Sequence, residues 1–221
     1  MPSANALTER PKQLASLYGR LMSHAAGLAN DELFAKMLAS HALGVGTLPV
    51  GLGLSPEAFA RLLVRHFPDI AAPGRIASAP RGGMQSSWDG PATLDDLGLL
   101  LELDQANWSS EPRQEERQDL LDLLLEHRAG ADASEIWMAA IVTAACMGGD
   151  HLWQDLGLWS RKDLTRLMRD NFPGLSARNV HDMKWKKFLY KQLCQREGVY
   201  VCRSPSCEVC ADYANCFGPE E

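Results

Sequence analysis

The strongest constraint on the fold is a set of residues that recurs at an offset of 103 to 105 positions. His24-Ala-Ala-Gly27 matches His127-Arg-Ala-Gly130, Gly44 matches Gly148, and Leu52-Gly53-Leu54 matches Leu156-Gly157-Leu158. Ser55, Phe59, Arg61, Leu62, Phe67 and Pro68 match Ser160, Leu164, Arg166, Leu167, Phe172 and Pro173. An ordered recurrence of this kind points to two copies of one three-helix unit, over 14–68 and 117–173. The competing explanation is chance likeness between Leu-rich amphipathic helices, which share periodicity without common origin.

Within each copy the apolar spacing is helical, strand-like alternation is scarce, and Leu and Ala dominate over Val, Ile and Thr. The pattern predicts helices over 11–26, 31–43, 55–67, 93–104, 113–128, 133–147, 160–171 and 177–196. Ser55 stands as an N-cap before Pro56, and Ser160 precedes Asp163 at capping-box spacing. Phe67-Pro68 and Phe172-Pro173 read as stops. The expected fold is all-α: a helical bundle of two related three-helix units plus a C-terminal cysteine-rich metal-binding loop. Residues 1–68 form the first unit, and 69–112 a linker and connecting helix. Residues 113–196 form the second unit with a basic amphipathic helix, and 197–221 the cysteine-rich segment. The 69–90 stretch is rich in Pro, Gly, Ser and Ala and reads as a linker or long surface loop.

A chain of 221 residues can bury a sizeable core. Its net charge of −6 disfavours wholesale nucleic-acid binding. The N-terminus shows no apolar export signal. The longest apolar run, Ile136 to Met147, is twelve residues interrupted by Thr143, too short to span a bilayer and suited to a buried helix. A soluble, cytoplasmic monomer is expected, without nucleic-acid or membrane partners. In that compartment thiols stay reduced.

Those thiols carry the chemistry. Cys202, Cys207, Cys210 and Cys216 form a C-x4-C-x2-C-x5-C run within fifteen residues. Four soft ligands so close together can surround one metal centre. The uneven outer spacing favours an iron–sulfur cluster over the paired knuckles typical of structural zinc, and unligated thiols are the third reading. The repeat adds candidates, because its copies differ. Ala42 becomes Cys146, Gly46 becomes Asp150 and Thr47 becomes His151, around the Gly148-Gly149 turn. His151 is a candidate metal ligand, against the plainer reading that Asp150 caps the segment 151–158. Cys146 and Cys194 are further candidate ligands, against core packing. His24 and His127 hold equivalent positions, which favours a shared job at a helix C-terminus.

Eleven of the 22 Lys and Arg residues lie between Arg161 and Arg203. Lys184, Lys187 and Lys191 fall on one helical stripe beside an apolar stripe of Trp185, Phe188, Leu189 and Leu193. That face is either simply solvated or attracts an oxyanion or an acidic partner. Of six tryptophans, Trp137, Trp153, Trp159 and Trp185 cluster in the second half, as core or as a dry wall beside a metal centre. No phosphate-cradling loop and no nucleophile–base pair can be assembled.

One family unites these residues. The run Trp185-Lys-Lys-Phe-Leu-Tyr-Lys-Gln-Leu-Cys194, then Glu197-Gly198, then the four cysteines with Tyr213 and Pro219, resembles the C-terminus of the NifQ family. Cys146-Met-Gly-Gly-Asp150-His151-Leu-Trp153-Gln-Asp155-Leu-Gly-Leu158 and Gly44-Val-Gly-Thr-Leu-Pro-Val-Gly-Leu-Gly-Leu54 extend the resemblance. It implies an iron–sulfur molybdenum carrier that supplies molybdenum for the nitrogenase iron–molybdenum cofactor. Carried over by position, Cys202, Cys207, Cys210 and Cys216 would hold a [4Fe-4S]-type or Mo-Fe-S cluster. The implied partners are the cofactor assembly proteins, scaffold or iron protein, and molybdate or another molybdenum source. Such a chain is a metallochaperone rather than an enzyme. Two alternatives stand beside it. One is a zinc-stabilised helical adaptor. The other is a DNA-repair glycosylase of the endonuclease III type, with a [4Fe-4S] loop. That family spaces its first two cysteines by x6 rather than x4, and this chain shows no convincing helix–hairpin–helix with a downstream catalytic Asp.

Overall fold

The computed structural model describes residues 4–70 and 113–196, with side chains from residue 10. The predicted helix over 93–104 and all four cysteines of the C-terminal run lie outside the described residues. The described part is helical throughout, with no strand. The first copy comprises α1 (Ala4–Met22), α2 (Asp31–Ala42), a 3-10 turn (Val50–Gly53) and α3 (Pro56–His66). The second comprises α4 (Gln114–Glu126), α5 (Ser134–Cys146), α6 (Leu152–Asp155) and α7 (Arg161–Asn171), followed by α8 (Pro173–Arg178) and α9 (Trp185–Arg196). No helix among these residues is long and apolar enough to cross a membrane.

The sequence repeat reappears as repeated bonding. The Ser55 hydroxyl accepts from Ala58 N at 3.1 Å, and the Ser160 hydroxyl from Asp163 N at 3.2 Å. Phe67 and Phe172 end α3 and α7 with nearly the same backbone (φ/ψ −140°/62° and −132°/59°), and both are fully buried. The loop after the first helix of each copy ties to the end of the third: Ala26 N donates to His66 O at 3.0 Å, and Ala129 N to Asn171 O at 2.9 Å. The Leu-Gly-Leu turns are exchanged between copies. A Cβ on Gly53 would sit 2.6 Å from the Ala144 Cβ of α5, and one on Gly157 would sit 2.8 Å from the Ser40 Cβ of α2. Both glycines also have φ near the left-handed region, at +83° and +68°, so glycine is required twice over.

These exchanged turns lock α2 and α5 into one core. All thirteen residues of α5 are buried, the polar Ser134, Glu135 and Thr143 along with its apolar run. A small polar seam crosses that core. Asn30 and Asn171 exchange side-chain hydrogen bonds at 2.7 and 3.1 Å, and Asn30 also donates to Ser134 Oγ at 2.8 Å. An ionic seam runs nearer the surface. Lys36 of α2 meets Asp163 of α7 at 2.6 Å, and Arg166 of α7 meets Glu32 of α2 at 2.7 Å.

Two predicted boundaries move. The first helix runs from Ala4 through Pro11 to Met22 rather than over 11–26. Proline removes one rung of the ladder without ending that helix. The Ser23 hydroxyl then takes up the Arg20 carbonyl at 2.8 Å, past the last turn. The predicted helix over 177–196 is in fact α8 and α9, separated by a turn. Asn179 makes that break: its Oδ1 accepts from Met183 N and its Nδ2 donates to Met183 O, both at 2.9 Å. Pro173 acts as a start as well as a stop, since it occupies the first turn of α8.

Candidate functional site

The site is built where α5 ends. Cys146 closes that helix, and the chain turns through Gly148, Gly149 and Asp150 to His151, the extended N-cap of α6. No side chain fits at Gly148: a Cβ would lie 2.5 Å from both Asp155 Cγ and Thr47 Oγ1. The turn is held from below by Asp155, whose carboxylate is wholly buried. It accepts from Thr47 Oγ1 at 2.9 Å and from Asp150 N at 3.1 Å. Lys186, in the first turn of α9, closes on the same carboxylate and donates to Gly148 O at 2.9 Å. A buried carboxylate needs such a counter-charge and full hydrogen bonding. Asp155 thereby joins three segments: the loop of the first copy, the Gly148–His151 turn and the helix that leads to the cysteines.

A second polar knot lies along α9. Glu116 of α4 accepts from Tyr190 Oη and from Arg113 Nε, the latter at 2.6 Å. Burial pushes the Tyr190 hydroxyl well above its ordinary range, so it acts as a donor. Between the two knots lies Cys146. Burial pushes its thiol up to about 12, with the Lys186 ammonium opposing that shift. A thiol so placed stays protonated at neutral pH, opposite to what a thiolate ligand needs.

The expected site residues separate on this frame. His151 and Cys146 bracket the turn, His151 half-buried and Cys146 fully buried. His151 itself caps α6, with Gln154 Oε1 accepting its backbone N at 3.3 Å. Asp150 is therefore not the cap; its backbone N–H is bound by Asp155 instead. Cys194 is half-buried on α9. Of the three stripe lysines, Lys187 and Lys191 lie on α9, whereas Lys184 precedes it and its carbonyl accepts from Phe188 N at 2.9 Å. Trp185, Phe188, Leu189 and Leu193 are all buried, as their stripe predicts. Trp137 and Trp185 are in the core, while Trp159 is 37% exposed, with its ring against Tyr18. The two equivalent histidines part company. His127 Nδ1 bonds Leu123 O at 3.0 Å at the end of α4, whereas His24 pairs with Asp69.

Lys186, Asp155, Tyr190 and Glu116 escaped the sequence reading. The one available signal was a lysine and a tyrosine set against the buried stripe of α9. No group of three or more His, Cys, Asp or Glu side chains converges among the described residues. A metal centre on Cys202, Cys207, Cys210 and Cys216 lies outside them.

Comparison with known proteins adds one consistent result. The family model described as NifQ matches residues 33–218, a span that includes all four cysteines of the run. The chain is 44% identical to "Protein NifQ" of Azotobacter vinelandii over 192 residues, covering 87% of this chain and 90% of that one. It is 38% identical to "Protein NifQ" of Klebsiella pneumoniae over 178 residues, covering 79% and 90%. It is 32% identical to "Protein NifQ" of Rhodobacter capsulatus over 189 residues, covering 85% and 87%. No solved structure matches.

Proposed function

Because the chain belongs to the NifQ family, we propose that it acts in nitrogen fixation as a cytoplasmic iron–sulfur carrier of molybdenum for biosynthesis of the iron–molybdenum cofactor. The observation that carries this reading is the family match across 33–218, which takes in the Cys202–Cys216 run together with the Gly148–His151 turn. The donor set fits a cluster: four thiolates suit iron–sulfur chemistry and soft metals. Cys202, Cys207, Cys210 and Cys216 would hold it, and it would supply the sulfide-rich environment in which molybdenum is carried.

The chain's own residues do the positioning. Lys186 fixes the start of α9 to the Gly148–His151 turn through Gly148 O and Asp155. From Lys186 to Arg196 the helix rises about 15 Å, and the six residues onward to Cys202 span at most about 20 Å. The tail therefore has the length to bring its thiols back beside His151. His151 is then available as a nitrogen ligand for the cargo, and assembly proteins are the acceptors.

The test is anaerobic purification with quantification of iron, molybdenum and zinc. Wild type carries iron and molybdenum and absorbs broadly in the visible range. Cys207→Ala and Cys210→Ala lose that absorption and the metal. A colourless chain loaded with zinc alone sinks the proposal and selects the zinc-stabilised adaptor.

A further inference from the structure

We infer that the cleft between α8 and α9 binds a tetrahedral, doubly charged oxyanion. The cleft holds about 240 Å3, and Arg178, His181 and Lys191 line it with the amides of Gln192 and Gln195, over Phe188. No carboxylate lines it, although the chain has 28 acidic residues against 22 Lys and Arg. The two cations, Arg178 and Lys191, and the His181 ring also lack partners of the usual kind. Lys36, Arg65, Arg113 and Arg166 each hold a carboxylate oxygen at 2.5 to 2.7 Å. Among the described residues Arg178 and His181 hold none, and the one hydrogen bond of Lys191 is to Met183 Sδ, at 3.9 Å. Asp182, the acidic residue of the connecting turn, is exposed and points no carboxylate into the lining.

The backbone that frames the cleft is also fixed, while Arg178, His181 and Lys191 themselves are exposed. Asn179 pins both backbone groups of Met183 at 2.9 Å, which closes the turn that carries His181 between α8 and α9. Arg178 ends α8 on one side, and Lys191 stands on α9 on the other. Two exposed cations facing one cleft that no carboxylate lines, with the His181 ring and amide donors beside them and an apolar floor, form an anion receptor. Molybdate, sulfate and hydrogen phosphate share the required charge and shape. The identity of molybdate as the natural occupant rests on the proposed function; the receptor itself does not need the cluster.

Equilibrium dialysis of the reduced full-length chain at low ionic strength tests this with molybdate, sulfate and inorganic phosphate in separate arms. The expected result is one bound anion per chain. Arg178→Gln and Lys191→Gln should each weaken binding at least about tenfold, with helical circular dichroism unchanged. A preference for molybdate, or equal affinity for all three, supports the receptor, the first also naming its occupant. The double variant Cys207→Ala, Cys210→Ala separates the two ideas. Anion binding that survives there keeps the cleft, whatever becomes of the cluster. Molybdate binding that vanishes there and ignores Arg178→Gln and Lys191→Gln overturns the cleft and leaves the cluster reading standing. No small-anion binding overturns the cleft as well, even if polyglutamate binds to this face.

Discussion

Replacing Asp155 with alanine removes the carboxylate on which the Gly148–His151 turn and α9 both rest. The Lys186 side chain is 18% exposed and would lose its counter-charge, while Thr47 Oγ1 and Asp150 N would lose their acceptor. Breaking a buried ion pair from one side costs about 3–5 kcal/mol. Thr47 and Asp150 are exposed enough to turn to water, so the expected loss lies near the lower bound, about 3 kcal/mol. For a chain of this size that lowers the melting temperature by about 6–12 °C. Lys186→Met should cost about as much, because it strands a carboxylate that is wholly buried. The double variant discriminates. If the two groups act as a pair, its cost stays close to that of either single variant, with a coupling of at least about 2 kcal/mol. Reversible denaturant unfolding of reduced, metal-free protein at neutral pH, followed by circular dichroism, reads all three. Single losses below about 1 kcal/mol, or costs that add within about 0.5 kcal/mol, refute the clamp.

Gly53→Ala and Gly130→Ala form a matched pair. Both have φ in the left-handed region, at +83° and +74°, but a Cβ meets Ala144 at 2.6 Å only at Gly53. Strain alone predicts about 1 kcal/mol for Gly130, and strain with overpacking about 3 kcal/mol for Gly53; equal losses in denaturant unfolding would remove the exchanged-turn account. The ionic seam gives a pH dependence. Hydrogen bonds from Arg166 and Lys36 hold Glu32 at about 2, below its ordinary 4.5. Its side chain is 35% exposed, so screening reduces the contribution to about 1 kcal/mol. A depressed carboxylate stabilises above its unfolded value and loses that contribution as pH falls. The stability gap between wild type and Glu32→Gln should thus be full at pH above about 5 and close toward pH 2; a gap independent of pH contradicts it.

The amino-acid sequence reached far because much of this fold is local. Ser55 and Ser160 announce their helices through hydroxyls that bond three residues onward, within reach of any scheme that reads short spacings. The all-helical class follows from period alone, and the recurrence of His-x-Ala-Gly and Leu-Gly-Leu anticipates the paired hydrogen bonds at Ala26 and Ala129. The misreading at 177–196 is also local in origin. The apolar period continues across Asn179, but its side chain offers Met183 a better bond than the helix does. The C-terminal thiols are legible as a four-cysteine run that spacing leaves open between an iron–sulfur cluster, zinc and free thiols, and Cys146 declared a thiol without declaring its burial.

What the sequence settled unaided, then, was composition, period, caps and the cysteine spacing, all properties of neighbours along the chain. The meeting of Lys186 with Asp155 across 31 positions, and of Asn30 with Asn171 across 141, belongs to tertiary structure alone. Those pairs have no period to reveal them, because burial creates the need for each partner. A charge or amide taken out of water must be matched by whatever group the packing brings beside it. Only the folded chain decides which group that is.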